Sequence, residues 1–166
     1  MKQTVTTFFA LMFITSSAFA SSGFIKPKLV DSLIDPYLDI QKALAADDLE
    51  NAQSSAVQFV EVLKNEPSVA RANLIAEKLL VVGINISQAQ DLASARATFL
   101  ELSNVLTSLI KQVGTSDSAK LFVVHCPMAF QGKGGDWLQS DKTVMNPYYG
   151  SMMLHCGSVQ TQIAGN

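Results

Sequence analysis

Charge is scarce in this chain. Only 16% of its 166 residues are Asp, Glu, Lys or Arg, the net charge is −2, and there are just two cysteines and one tryptophan. No cluster of Lys and Arg occurs, so the chain lacks the phosphate-neutralising surface that nucleic-acid binding requires. It also has no Cys-x-x-Cys redox pair, no Gly-x-Ser-x-Gly elbow and no His-Glu-x-x-His helix, which removes the usual routes to thiol-redox, serine-hydrolase and zinc-protease chemistry. No repeat of 20 to 50 residues suggests a solenoid. Beyond residue 20 no apolar run is long enough to cross a bilayer.

The one long apolar run is amino-terminal. Lys2 precedes Phe8, Phe9, Leu11, Met12, Phe13 and Ile14, and Ala18-Phe19-Ala20 then offers small residues before Ser21. That order reads as a signal peptide over residues 1–20 with cleavage after Ala20, and it directs the chain to the periplasm. Removal of Lys2 takes the net charge of residues 21–166 to about −3, and their length suits a single domain with a core of its own. No membrane span is expected after cleavage.

From residue 29 to residue 113 the pattern is helical. Val30, Leu33, Ile34, Tyr37, Leu38 and Leu44 recur at the spacing of one helical face, with Pro36 either at a first helical position or kinking a helix begun near Leu29. Asp47 or Asp48 caps a second helix with the face Leu49, Ala52, Ala56, Phe59 and Leu63. After Asn65-Glu66-Pro67-Ser68, a third helix over Ala70 to Gln88 offers Leu74, Ile75, Leu79 and Val82, weakened late by Gly83. Asp91 caps a fourth, striped by Leu92, Ala95, Phe99, Leu102, Leu106, Leu109 or Ile110 and Val113, and Gly114 ends it. Arg96 beside that stripe is expected to pair with a bundle carboxylate. Four amphipathic helices with short connections predict an all-α fold, an up-down-up-down four-helix bundle, because only mutual packing buries all four stripes.

After Gly114 the character changes. Leu121-Phe122-Val123-Val124 is a short extended run, and Gly132, Gly134, Gly135, Pro147, Gly150 and Gly157 punctuate the rest, so residues of about 120 to 160 are expected to be loop-rich and docked on the bundle through Trp137, Leu138, Tyr148, Tyr149 and Leu154. This segment also holds both cysteines, both histidines and four of the six methionines. Gly132-Lys133-Gly134-Gly135 is no phosphate loop, since the spacing is short and Asp136 stands where Ser or Thr would follow Lys.

The sulfur-rich segment has two mutually exclusive readings. Cys126 and Cys156 can close a disulfide around a loop of about 30 residues, worth roughly 3 to 4 kcal/mol by the chain-entropy relation. They can instead act as thiolates for one soft metal with the thioethers of Met128 and Met153, and His125 and His155 as auxiliary ligands. The patterns His125-Cys126-x-Met128 and Met152-Met153-x-His155-Cys156 would then form a two-ended cage. Thioethers favour Cu(I) over zinc, and Met128, Met153, His125 and His155 could bind copper weakly even beside a disulfide. Met145 and Met152 stay unassigned, as methionine is also an ordinary filler of gaps. A nucleophilic Cys126 served by His125 is disfavoured because sequence neighbours seldom face each other, so no enzyme is expected.

Cys126-Pro127-Met128-Ala129, Gly135, Trp137-Leu138, Asn146-Pro147-Tyr148-Tyr149-Gly150 and Met153-Leu154-His155-Cys156-Gly157, in this order, resemble the signature of a bacterial periplasmic domain of unknown function that occurs alone or fused to adaptor subunits of copper and silver efflux pumps. Tyr37-Leu38, Ala43-Leu44, Asp47-Asp48, Arg96, Phe99, Leu102 and Ser103 are similar to its upstream pattern, while His125, Met145 and His155 depart from it by adding possible ligands. The resemblance implies a helical periplasmic domain linked to heavy-metal resistance, with a soft metal ion and efflux or other envelope proteins as partners. The rival expectation is a non-catalytic, disulfide-stapled interaction module.

Overall fold

The computed structural model describes residues 25–66, 74–116 and 120–163; the expected signal peptide and its cleavage site lie outside them. Four helices come first, α1 (Pro27–Ala45), α2 (Leu49–Lys64), α3 (Leu74–Ser87) and α4 (Leu92–Val113). Each packs on the next in sequence, and α4 also packs against α1. Among the described residues no helix is long and apolar enough to cross a membrane.

Local chemistry sets the helix ends. Pro27 opens α1, a position where its missing N–H costs nothing, and Pro36 lies inside the same helix, so the Ser32 carbonyl loses its usual donor. Asp48 caps α2 by accepting the Asn51 N–H at 3.0 Å. Asp91 and Ser94 cap α4 reciprocally, side chain to backbone in both directions, and Gly114 at φ 79° stops it. The third helix was expected from Ala70; it begins at Leu74 among the described residues, and 70–73 lie outside them. Gly83 lets α3 approach α2 closely, as a Cβ there would stand 2.9 Å from Val60 Cγ2. Most of the expected stripes form the core, with Leu33, Leu44, Phe59, Leu63, Leu79, Phe99, Leu102 and Leu106 wholly buried, but Leu74 at the start of α3 is 81% exposed and Leu49, Ile75, Leu92 and Val113 are half-buried.

The carboxy-terminal part corrects the all-α expectation. It contains a three-stranded antiparallel sheet, β1 (Leu121–Cys126), β2 (Gly135–Gln139) and β3 (Ser158–Ile163), in the order β2-β1-β3. The run Leu121–Val124 did point to β1. The other two strands carry weak signals, since β2 begins at the end of a glycine cluster and β3 reads Ser-Val-Gln-Thr-Gln-Ile with scarcely any apolar alternation. The loop between β1 and β2 turns through Phe130 and Gln131 at φ 52° and 61°, left-handed conformations that cost a side-chain-bearing residue strain.

Aromatic side chains join sheet to bundle. Tyr37 stacks on Phe99 at 5.0 Å, Phe99 meets Tyr148 at 6.2 Å, and Tyr148 stands edge-on to both Trp137 and Phe130. Tyr37 also shares a 2.8 Å hydrogen bond with Ser103, and its hydroxyl accepts the Leu138 N–H at 2.9 Å, tying α1 to the free edge of β2. Burial pushes the Tyr37 phenol far above its ordinary range. The expected anchors Trp137, Leu138 and Tyr148 are buried, while Tyr149 and Leu154 are half-buried.

A polar latch does the same work at the α1–α2 corner. Arg96 on α4 is 14% exposed; its Nε donates to the Pro147 carbonyl at 2.9 Å and its Nη2 to the Leu44 carbonyl and to Asp47 Oδ1, at 2.9 and 2.5 Å. Asp47, at φ 60°, turns its other oxygen to the Ser151 N–H at 2.9 Å. Gly150 passes between them, where a Cβ would collide with both Asp47 and Arg96. Hydrogen bonds from Ser151, then from Arg96, hold the Asp47 carboxyl down at about 2, against 3.8 ordinarily. Its contribution is therefore complete above about pH 4 and is lost as pH falls through about 2. Because the carboxylate is 32% open to water, screening leaves about 1–2 kcal/mol of it. Asp47→Asn is expected to lower stability by that amount at neutral pH and to converge with the parent protein near pH 2, read as urea midpoints across the pH range.

Candidate functional site

The sulfur-bearing residues sit where β1 ends and β3 begins. Cys126, the last residue of β1, is wholly buried, and Cys156, two residues ahead of β3, is partly exposed. Their sulfurs are 2.8 Å apart and both thiols are free. A disulfide needs about 2.05 Å, so the expected crosslink is not closed in this structure. Two thiolates on one tetrahedral metal stand about 3.8 Å apart, as follows from metal–sulfur bonds near 2.3 Å. The pair therefore lies between bond and chelate, within about 1 Å of either.

Buried amides, rather than cysteine chemistry, place Cys156. Asn146 is fully buried; its Nδ2 donates to the Cys156 carbonyl at 2.7 Å, and its Oδ1 accepts the N–H groups of Tyr148 and Tyr149. Its own backbone N–H donates to the Leu154 carbonyl. Gln139 accepts from Trp137 Nε1 and the Met145 N–H, and Gln41 on α1 donates to the Met145 carbonyl at 2.6 Å. These three amides shape the return loop from residue 140 to residue 157. Sequence reasoning passed over all three as site residues, although Asn146 stands in the Asn-Pro-Tyr-Tyr-Gly motif, where a polar side chain before proline signals an ordered turn.

The remaining candidates divide. Met128 is 54% exposed and its backbone N–H bonds to the Cys156 sulfur, while its carbonyl accepts from the Tyr149 hydroxyl. Met153 is half-buried and its carbonyl accepts the Cys156 N–H at 3.0 Å. Both methionines thus adjoin the thiol pair along the backbone. His155 is exposed, with Nδ1 donating to the Val144 carbonyl at 2.7 Å, which leaves Nε2 as its outward nitrogen. His125 goes elsewhere: successive residues of a strand point to opposite faces, so its ring and the Cys126 sulfur lie on opposite sides of β1. There Nδ1 meets Asp136 Oδ1 across the strand pair at 2.6 Å, and the ring lines a cavity of about 190 Å³ with Leu100, Asn104, Lys133 and Gly134. The expected two-ended cage is accordingly not assembled as His125 with Cys126. Among the described residues no group of three or more His, Cys, Asp and Glu is arranged to hold a metal. Met145 and Met152 are exposed, at 36% and 77%.

The thiol of Cys156 is pushed above its ordinary range, first by its hydrogen bond with Cys126 and then by burial. At neutral pH the Cys156 thiol is protonated, so a cation binding there would release its proton.

Comparison with protein-family models matches residues 33–118 to the family described as Protein of unknown function (DUF3347). The chain belongs to this family. In DUF3347 terms the matched region runs from Leu33, within α1, through α4, including Asp47 and Arg96, and it stops short of β1. Cys126, Cys156 and the motifs around them lie beyond the match, which does not speak to copper, silver or efflux adaptors. No curated protein and no solved structure matches the chain.

Asn146→Asp keeps the acceptor for Tyr148 and Tyr149 but removes the donor to Cys156 and buries a charge. It is expected to cost about 1–3 kcal/mol in urea unfolding and to speed alkylation of Cys156 by an uncharged reagent, because the residue loses its tether.

Proposed function

We propose that this protein is a non-catalytic periplasmic accessory that binds a soft metal ion, Cu(I) first, through Cys126 and Cys156. The observation that supports this most directly is the juxtaposition of two free thiols at 2.8 Å, one of them reachable from solvent. Thiolates are the donors that soft ions select, and the thioethers of Met128 and Met153, on residues bonded through their backbones to Cys156, supply the remaining soft donors. His155 offers an outward Nε2 nearby in sequence, and His125 serves only as a separate, weaker donor on the other face. Binding requires the sulfurs to part by about 1 Å, which a loop held by amide hydrogen bonds accommodates more readily than a helix. Efflux or other envelope proteins are the partners this role implies.

A second reading has its own support. Cys126 is completely buried, and closing a disulfide demands a smaller movement than opening a chelate. In that case the pair staples the loop-rich segment, and the protein is an interaction module of an envelope complex.

Titration of Cu(I) against a competing chelator separates the two. The reduced protein is expected to bind one ion, and the Cys126→Ser, Cys156→Ser double variant to lose it. Met128→Leu with Met153→Leu is expected to weaken binding on the order of tenfold, comparable to the loss of supporting groups at other metal sites. Equal affinity of parent and double variant for Cu(I) would reject the metal reading and leave the staple.

A further inference from the structure

We infer that the Cys126–Cys156 pair is a one-sided thiol–disulfide exchange site, in which Cys156 alone receives the incoming disulfide and buried Cys126 alone resolves it. The inference concerns the same two sulfurs as the metal reading and describes how their availability is controlled. The reagent it takes is an accessible disulfide, of a small thiol or of an oxidising partner protein.

The two sulfurs differ in what can reach them. Cys126 is 0% exposed at the end of the central strand, where β1 pairs with β2 on one side and β3 on the other. Its cross-strand partner is Gly135, and a Cβ at that position would already meet Tyr148 and Phe130. Attack on a disulfide needs a bulky S–S bond brought in line with the thiolate, and that cannot be done at a sulfur with no exposed surface. Cys156 lies outside the strands, between a turn and β3, and is partly open.

The step balances as two exchanges. The Cys156 thiol gives up its proton to solvent and attacks one sulfur of R–S–S–R′; that bond breaks, R′S⁻ departs and takes a proton, and Cys156–S–S–R remains. Cys126 then loses its proton and attacks the Cys156 sulfur, which already stood 2.8 Å away; RS⁻ departs protonated and the internal disulfide is made. Two protein thiols are oxidised by two electrons, and the incoming disulfide is reduced to two thiols. The second step is intramolecular between held groups, so it outruns a second bimolecular attack. Because the closed disulfide has no thiolate to offer, the same exchange also switches off soft-metal binding through the two cysteines.

The probe is oxidised glutathione with metal-free reduced protein, followed by acid quench and mass mapping. Cys126→Ser, which keeps Cys156, is expected to accumulate one glutathione per chain. Cys156→Ser, which keeps Cys126, is expected to react at least about tenfold more slowly when folded and to catch up in denaturant. In the parent protein early quenching should place any trapped glutathione on Cys156, with the internal disulfide as the end product. Glutathione on Cys126 of the folded parent, or a stable doubly modified chain without the internal bond, would overturn the inference. The parent measurement decides even if a variant fails to fold. Copper titration is independent, so a protein that exchanges as described but binds no Cu(I) would retain this inference and lose the metal one.

Discussion

The guanidinium of Arg96 joins α4 to two parts of the chain that are distant from it in sequence: the α1–α2 corner, through the carbonyl of Leu44 and the carboxylate of Asp47, and the return loop, through the carbonyl of Pro147. A charged group only 14% exposed is tolerable because its donors are met by a carboxylate and two carbonyls. Removing one partner leaves a nearly buried cation uncompensated, so the corner, the helix and the loop stand or fall together. The clamp reaches the return loop at Pro147, Gly150 and Ser151, between the Asn146 amide and the cysteine that the amide tethers.

The second joint is apolar, the aromatic line from Tyr37 through Phe99 and Tyr148 to Trp137. Tyr148 follows Pro147 directly, so successive residues of the return loop are claimed by the two systems. The sulfur pair is thus positioned by groups that are not themselves chemical participants. Its 2.8 Å separation reflects where a strand end and a clamped turn happen to be brought, and it leaves both a covalent closure and a shared ion within a short displacement.

What could be read from the chain follows from how local each signal is. The Asp91 cap is contained within a few residues and is found where it was read, the choice between Asp47 and Asp48 falls to Asp48, and the α4 stripe is buried from Ala95 to Ile110. The run Leu121–Val124 was legible as extended because it is continuously apolar, but the sheet was not, since β2 and β3 are strands chiefly by virtue of pairing with it. The proximity of Cys126 to Cys156 was anticipated, whereas the loss of His125 to the opposite face was not: adjacency in sequence suggested a shared site, and the strand's alternation separated it. Asp47 was expected only as a cap. Its real partners, Arg96 and Ser151, lie 49 and 104 residues away, and no local pattern encodes them.

The outer strand β3 is attached to the rest of the sheet along one side only and is exposed over nearly its whole length. Little apolar surface is committed to keeping it in place, and its opening need not await that of the helices, so it forms the least cooperative layer of the molecule. Cys156 and Gly157 precede it. A chain shortened at that junction would keep the Asn146 tether and the Arg96 clamp but would bare the edge of β1 that ends at Cys126, so the final strand acts as a shutter over the inner sulfur and not as a support of the loop that carries the outer one.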